Sequence, residues 1–213
     1  MYMNIYQDIK STILNNLGGE TMEHSYSING IPVKTGDVIC VSDGGAPVLA
    51  GQFWRLLGKL IPGDIDHVIV YLGPDGRCVE SGPKGVVTFN VENGSWDTLA
   101  MREQRHGIID SFYGVAYPLK RTTLSDAQQT KIREGVAEYC LAQAAAKKPY
   151  NLNFFDSKRT DAFYCSQLVY LAYLPFGIDL NTNKGVPDIP GTESIIYPQE
   201  IWDGCAHTKW QKS

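Results

Sequence analysis

The sequence predicts an α+β fold, a small antiparallel sheet packed against helices, on three observations. Residues 67–72 (HVIVYL) and 77–81 (RCVES) flank Gly73-Pro74-Asp75-Gly76 and read as a β-hairpin, with 85–91 (GVVTFNV) as a third strand. Ser125 with Gln128 makes a capping-box pattern ahead of a helical run over 126–145, and a second helix is predicted over 164–175. Strands cluster in the middle of the chain and a helix pair follows, which is the order of segregated α+β architecture.

The remaining elements follow in chain order. Residues 4–17 read as a short amphipathic helix stopped by Gly18-Gly19. Residues 20–35 are polar and read as an irregular arm, so 1–35 is set apart as an N-terminal helix and arm and 36–213 as the main domain. Asp37 to Val41 is a strand, reached through Gly36 and left through Asp43-Gly44-Gly45. The apolar face of 47–60 (PVLAGQFWRLLGKL) predicts a helix that packs on the core. A fourth strand is expected at 98–102 and an extended segment at 112–119. A polar, aromatic loop spans 148–160, and a last short element lies near Pro198–Trp202.

Composition limits the function classes. With 43% hydrophobic residues in 213, the chain has material for a core without a disulfide or metal staple. A net charge of −4 with no basic run argues against nucleic acid as a partner. Five cysteines at wide spacings suit free thiols in a reducing compartment. The N-terminus carries no basic-then-apolar signal pattern, and no apolar stretch nears the ~20 residues of a membrane span. The expectation is a cytoplasmic chain without a transmembrane segment, with signal-less export left open. Metal binding fails on spacing, since Cys205-Ala206-His207 has no second pair, and no nucleotide or dinucleotide glycine pattern appears, so no cofactor is expected.

Cys165 carries the chemistry. It falls at the first turn of the 164–175 helix, where unpaired N–H groups and the helix dipole favour a thiolate and can face an oxyanion. Leu168, Val169 and Ala172 share its helix face, which points the sulfur at the sheet. A lone cysteine in such a place commonly packs as a small hydrophobe; partners decide otherwise. His67 opens a strand on the face of Ile69 and Tyr71. If Leu72 faces Arg77 across the hairpin, Glu80 shares that face one diagonal step from His67, where a carboxylate orients an imidazole. The alternative for each is structural: a strand histidine and a solvated strand carboxylate.

In this order, GDIDHVIVYLG, then RCVESG, then YCSQLVYLAY, the chain resembles the circularly permuted papain-like cysteine hydrolases of NlpC type, the YiiX/YaeF-like permuted papain amidases, with lecithin:retinol acyltransferase as a more distant relative. Gly36-Asp37, Lys148-Pro149-Tyr150-Asn151 and Pro198 with its short helical element match as well, and the resemblance covers roughly residues 35–203. It implies Cys165 as nucleophile, His67 as general base and Glu80 as orienting residue. Tyr164 and Tyr150 are the candidates for binding substrate or the oxyanion, and Asn151 stands where an aspartate is expected.

The expected function is that of a cysteine amidase or peptidase-like hydrolase acting through an acyl-enzyme, on peptide or cell-wall-type amides. Two alternatives stay open: lipid ester or thioester hydrolysis or acyl transfer on the same triad, and a binding module whose triad is idle. The partner is then a small-molecule, peptide or lipid substrate. Amide or lipid, and the oligomeric state, are not legible in the sequence.

Overall fold

The computed structural model of the protein describes residues 23–43 and 62–211. The helices expected at 4–17 and 47–60 lie outside these residues. Among the described residues eight strands are formed: β1 (Ser25–Ile28), β2 (Ile31–Lys34), β3 (Val38–Asp43), β4 (His67–Tyr71), β5 (Arg77–Gly82), β6 (Gly85–Asn90), β7 (Asp110–Tyr117) and β8 (Ala206–Lys209). The helices are α1 (Asp126–Ala145), α2 (Cys165–Tyr173) and α3 (Pro198–Gly204). Six strands make one sheet in the order β6-β5-β4-β3-β7-β8, every neighbour antiparallel, while β1 and β2 pair with each other. The architecture is α+β, as expected.

Strand alternation divides the core in two. Val38, Cys40, Val68, Val70 and Val79 face α1 and α2, where they meet Val136, Leu168, Val169 and Ala172. Ile39, Val41, Ile69, Tyr71 and Cys78 face the other way, against Ile28, Ile31 and Val33 of the β1–β2 hairpin and against Met101. Each such aliphatic side chain, fully buried, contributes about 1.5–3 kcal/mol. The helix pair therefore covers one face of the sheet, and the hairpin with the segment after β6 covers the other.

The β4–β5 register is the expected one: Val70 faces Val79, Tyr71 faces Cys78, and the Leu72 amide donates to the Arg77 carbonyl at 2.8 Å. The capping box at the start of α1 also forms. The Ser125 amide donates to Gln128 Oε1 at 2.9 Å, and the Gln128 amide donates to Ser125 Oγ at 3.4 Å. Behind the sheet, Arg133 of α1 reaches the start of β3, donating to Asp37 Oδ1 at 2.8 Å and to the Thr35 carbonyl at 2.7 Å. Tyr173 of α2 donates to the Gly36 carbonyl at 2.6 Å. Gly36 itself sits at φ +87, and a Cβ there would meet the Tyr173 hydroxyl at 2.9 Å.

Two expectations are corrected, and one strand was missed. Residues 25–34 are not an irregular arm but the β1–β2 hairpin, turned at Asn29 (φ 48) and Gly30 (φ 80). An Asn-Gly pair suits the positive φ angles of a tight hairpin turn, and the polar outward residues hid the buried Ile28, Ile31 and Val33. Residues 98–102 form turns rather than a strand, because Asp97 Oδ1 takes the amide protons of both Leu99 and Ala100 at 3.0 Å and curls the chain. The edge strand β8 was not expected, since AHTK carries too short a pattern to read.

Candidate active site

The site forms where the β4–β5 ladder ends. Paired residues run only through Val70↔Val79, and past them the segment before Cys165 meets β5: Ser81 Oγ donates to the Phe163 carbonyl at 2.6 Å. Phe163 bridges to Tyr150 in parallel, with its amide on the Pro149 carbonyl at 3.0 Å and its carbonyl taking the Asn151 amide at 2.9 Å. Alternation assigns His67 to the face opposite the helices, with Ile69 and Tyr71, whereas Cys165 belongs to the helix-side core. The end of the ladder is where the two meet.

The structure brings Cys165, His67 and Glu80 together. Cys165 is the first residue of α2 and is 5% exposed. Cys165 adjoins the His67 ring on one side and acts on its charge. On the other, His67 Nε2 lies 2.7 Å from Glu80 Oε2. With Nε2 held by the carboxylate, Nδ1 is the ring nitrogen left for the sulfur, and Nε2 carries the proton between His67 and Glu80.

The electrostatics follow from those contacts. Burial pulls the His67 imidazole toward its neutral form, but the charge and hydrogen bond of Cys165, with those of Glu80, outweigh it and hold the pKa up at about 10. Burial pushes Glu80 up, and the Arg105 charge with the His67 hydrogen bond more than reverses this, bringing it down to about 2. Glu80 is thus a carboxylate in the core, stabilised by two cationic partners.

Tyr150 lies in the same region: burial pushes its phenol well above the ordinary range, and the charges of Cys165 and Tyr164 add to this. Tyr164 precedes Cys165, but its hydroxyl accepts the Ile196 amide proton at 3.1 Å. That ties it to the segment ahead of α3, as does Ser166 Oγ on the Ile196 carbonyl at 2.6 Å. Asn151 is buried and structural in its contacts, donating to the Asp156 carbonyl at 3.2 Å and to Gln167 Oε1 at 3.0 Å. Gln167, fully buried on α2, also accepts the Tyr164 amide at 3.2 Å and donates to the Arg159 carbonyl at 2.9 Å. This Asn151–Gln167 pair knits the 151–161 loop to the first turn of α2.

One buried ion network at the site escaped the sequence. Arg105 is 0% exposed and grips Glu80 with two hydrogen bonds, Nε to Oε1 at 3.0 Å and Nη2 to Oε2 at 2.8 Å. It grips Asp110 with two more, Nη1 to Oδ1 at 2.8 Å and Nη2 to Oδ2 at 2.7 Å. Its position in MREQRHG, within turns, carries no periodic signal.

The five cysteines are free thiols, all buried. Among the described residues no group of three or more His, Cys, Asp or Glu is gathered to hold a metal ion, and no helix is long and apolar enough to cross a membrane. His207 stacks on Trp202 at 4.1 Å. No protein-family model, curated protein or solved structure matches the chain.

Proposed function

We propose that the protein is a papain-like cysteine hydrolase that cleaves an amide through Cys165, His67 and Glu80. The observation that carries this reading is the His67 ring held by the Glu80 carboxylate at 2.7 Å, with Cys165 adjoining the same ring at the first turn of α2. That is the arrangement of nucleophile, base and orienter on which thiol catalysis depends. Proton transfer from sulfur to His67 leaves a thiolate–imidazolium pair, and Glu80 stabilises the imidazolium. Cys165 Sγ attacks the acyl carbon, and amide protons at the first turn of α2 face the oxyanion, with Tyr150 beside them. On collapse the carbon–nitrogen bond breaks and the imidazolium proton goes to the leaving amine. His67 then takes a proton from water, which attacks the thioester and releases the acid and the thiol.

An apolar acyl group is the second reading, as a lipid ester or thioester. It is favoured by Leu152 and Phe155, 64% and 62% exposed on the loop that Gln167 ties to the first turn of α2. Both readings keep the same nucleophile.

The test is the rate of Cys165 alkylation by iodoacetamide against pH, in the wild type and His67→Ala, with the labelled peptide mapped. The expected wild type reacts readily near neutral pH and His67→Ala slows at least tenfold there, the effect of about one pKa unit. A folded wild type that reacts as slowly as His67→Ala leaves an idle binding module instead. A reactive enzyme is then offered N-acyl amino acid amides and acyl-chain esters in parallel, and the faster class decides between the first two readings.

A further inference from the structure

We propose that Arg105, anchored by Asp110, is the positioning residue that holds Glu80 as a carboxylate aimed at His67. This rests on the Cys165–His67–Glu80 reading above. The two oxygens of Glu80 divide three nitrogen contacts into a fixed pattern: Arg105 Nε takes Oε1 at 3.0 Å, while Arg105 Nη2 at 2.8 Å and His67 Nε2 at 2.7 Å share Oε2. The planar guanidinium thereby fixes the plane of the carboxylate, and the carboxylate fixes the imidazole.

Arg105 is in turn held on every side. Asp110, from β7, matches it with a second two-nitrogen pair, and Trp96 Nε1 donates to Asp110 Oδ1 at 3.2 Å. The guanidinium carbon lies 4.8 Å from the centre of the Phe89 ring and 5.1 Å from that of Trp96. The groups that face Glu80 are therefore His67 from β4, Cys78 on its own strand, Arg105 from the segment after β6, and Asp110 behind Arg105, with Cys165 of α2 beyond His67. Without Arg105 the buried carboxylate keeps one cationic partner, and that partner is the imidazole whose charge it must sustain. Glu80 then takes a proton, and the support for the thiolate–imidazolium pair goes with it. The contacts of Arg105 are with Glu80, Asp110, Phe89 and Trp96. It acts through Glu80.

A purely structural arginine predicts a less stable protein with an unchanged pH profile; a positioning arginine predicts a changed one. Iodoacetamide alkylation of Cys165, by peptide mapping, is followed against pH in the wild type, Arg105→Met, Arg105→Lys, Glu80→Gln, Arg105→Met with Glu80→Gln, and His67→Ala, each checked for a cooperative melt. The expected result is that Arg105→Met loses at least tenfold at about pH 6.5, equal to one pKa unit, and recovers at high pH. The double variant should then be no slower than Glu80→Gln. Arg105→Lys, which offers one ammonium in place of a two-nitrogen grip, should fall between wild type and His67→Ala.

A folded Arg105→Met with the wild-type profile, or with a loss equal at every pH, overturns the proposal. Should Arg105→Met not fold, a wild-type profile in Arg105→Lys overturns it and a raised profile supports it. If His67→Ala leaves alkylation unchanged, the catalytic reading itself falls. If His67→Ala slows it and the Arg105 variants do not, only the role of Arg105 falls.

Discussion

Ser81 donates its hydroxyl proton to the carbonyl of Phe163 at 2.6 Å, so the strand that carries Glu80 also fixes the segment that carries Cys165. Both ends of the site are thus referred to one strand, with Glu80 on one face of β5 and Ser81 on the other. Ser81→Ala removes this tie, while the Phe163 carbonyl keeps the Asn151 amide at 2.9 Å. The expected cost is about 1 kcal/mol of stability, the net worth of one hydrogen bond. Urea denaturation measures that cost. Alkylation at neutral pH should slow more than the fraction unfolded explains, and an unchanged rate would show that Phe163 needs no such tie.

His67 gives a direct spectroscopic prediction. Its pKa is held up at about 10 chiefly against burial by the charge and hydrogen bond of Cys165, so Cys165→Ala should lower it more than Glu80→Gln does. Ring nitrogen chemical shifts followed against pH report this without any substrate. The sign for stability follows. A histidine raised from 6.5 to about 10 contributes stability that is fully present below 6.5 and lost as pH rises through about 10. The stability gap between wild type and His67→Ala should therefore close across that window. A gap that widens with pH would mean that His67 is held neutral.

The placement of His67, Glu80 and Cys165 was legible in the sequence because all three sit on regular elements. Period-two alternation put His67 with Ile69, the Gly73–Gly76 turn set the register, and Glu80 fell on the same face. Helical spacing placed Cys165 with Leu168 and Val169, both buried. What stayed hidden lies off those periods. Arg105 is 25 residues from Glu80 in the chain and emerges from a run of turns, so nothing local marks its guanidinium as buried. The role of Asn151 was equally invisible, because a side chain that caps a loop onto Gln167 is chosen by tertiary geometry. The β1–β2 hairpin is different: Asn29-Gly30 announced it, and the polar residues around that pair outweighed the signal.

Glu80 yields the acid-side prediction. A carboxylate lowered from 4.5 to about 2 contributes stability present above 4.5 and lost as pH falls toward 2. Glu80→Gln leaves Arg105 with Asp110 as its remaining ion partner and should destabilise the protein at pH 7 by about 3–5 kcal/mol, the cost of breaking a buried pair. That difference should shrink as acid protonates the wild-type carboxylate. Urea midpoints of both proteins from neutral pH downward test it, and a difference independent of pH would place the loss in packing instead of charge.

The Asp37–Arg133 pair behaves in the opposite sense. Burial pushes the Asp37 carboxyl above its ordinary 3.8, and Arg133 only partly reverses this. Since the folded carboxyl binds its proton more readily than the unfolded one, stability falls as pH rises from 3.8 through the raised value. Arg133→Ala removes the largest opposing influence, so the folded value climbs and the loss reaches to higher pH. The variant should lose about 3–5 kcal/mol at neutral pH and less near pH 4, because a protonated Asp37 no longer needs its partner. Asp37→Leu combined with Arg133→Met should recover most of the loss, as apolar replacements of a buried pair often do. Thermal melts of the three proteins at two pH values decide it. A double variant as unstable as Arg133→Ala would mean that the contact with the Thr35 carbonyl, at 2.7 Å, matters more than the ion pair.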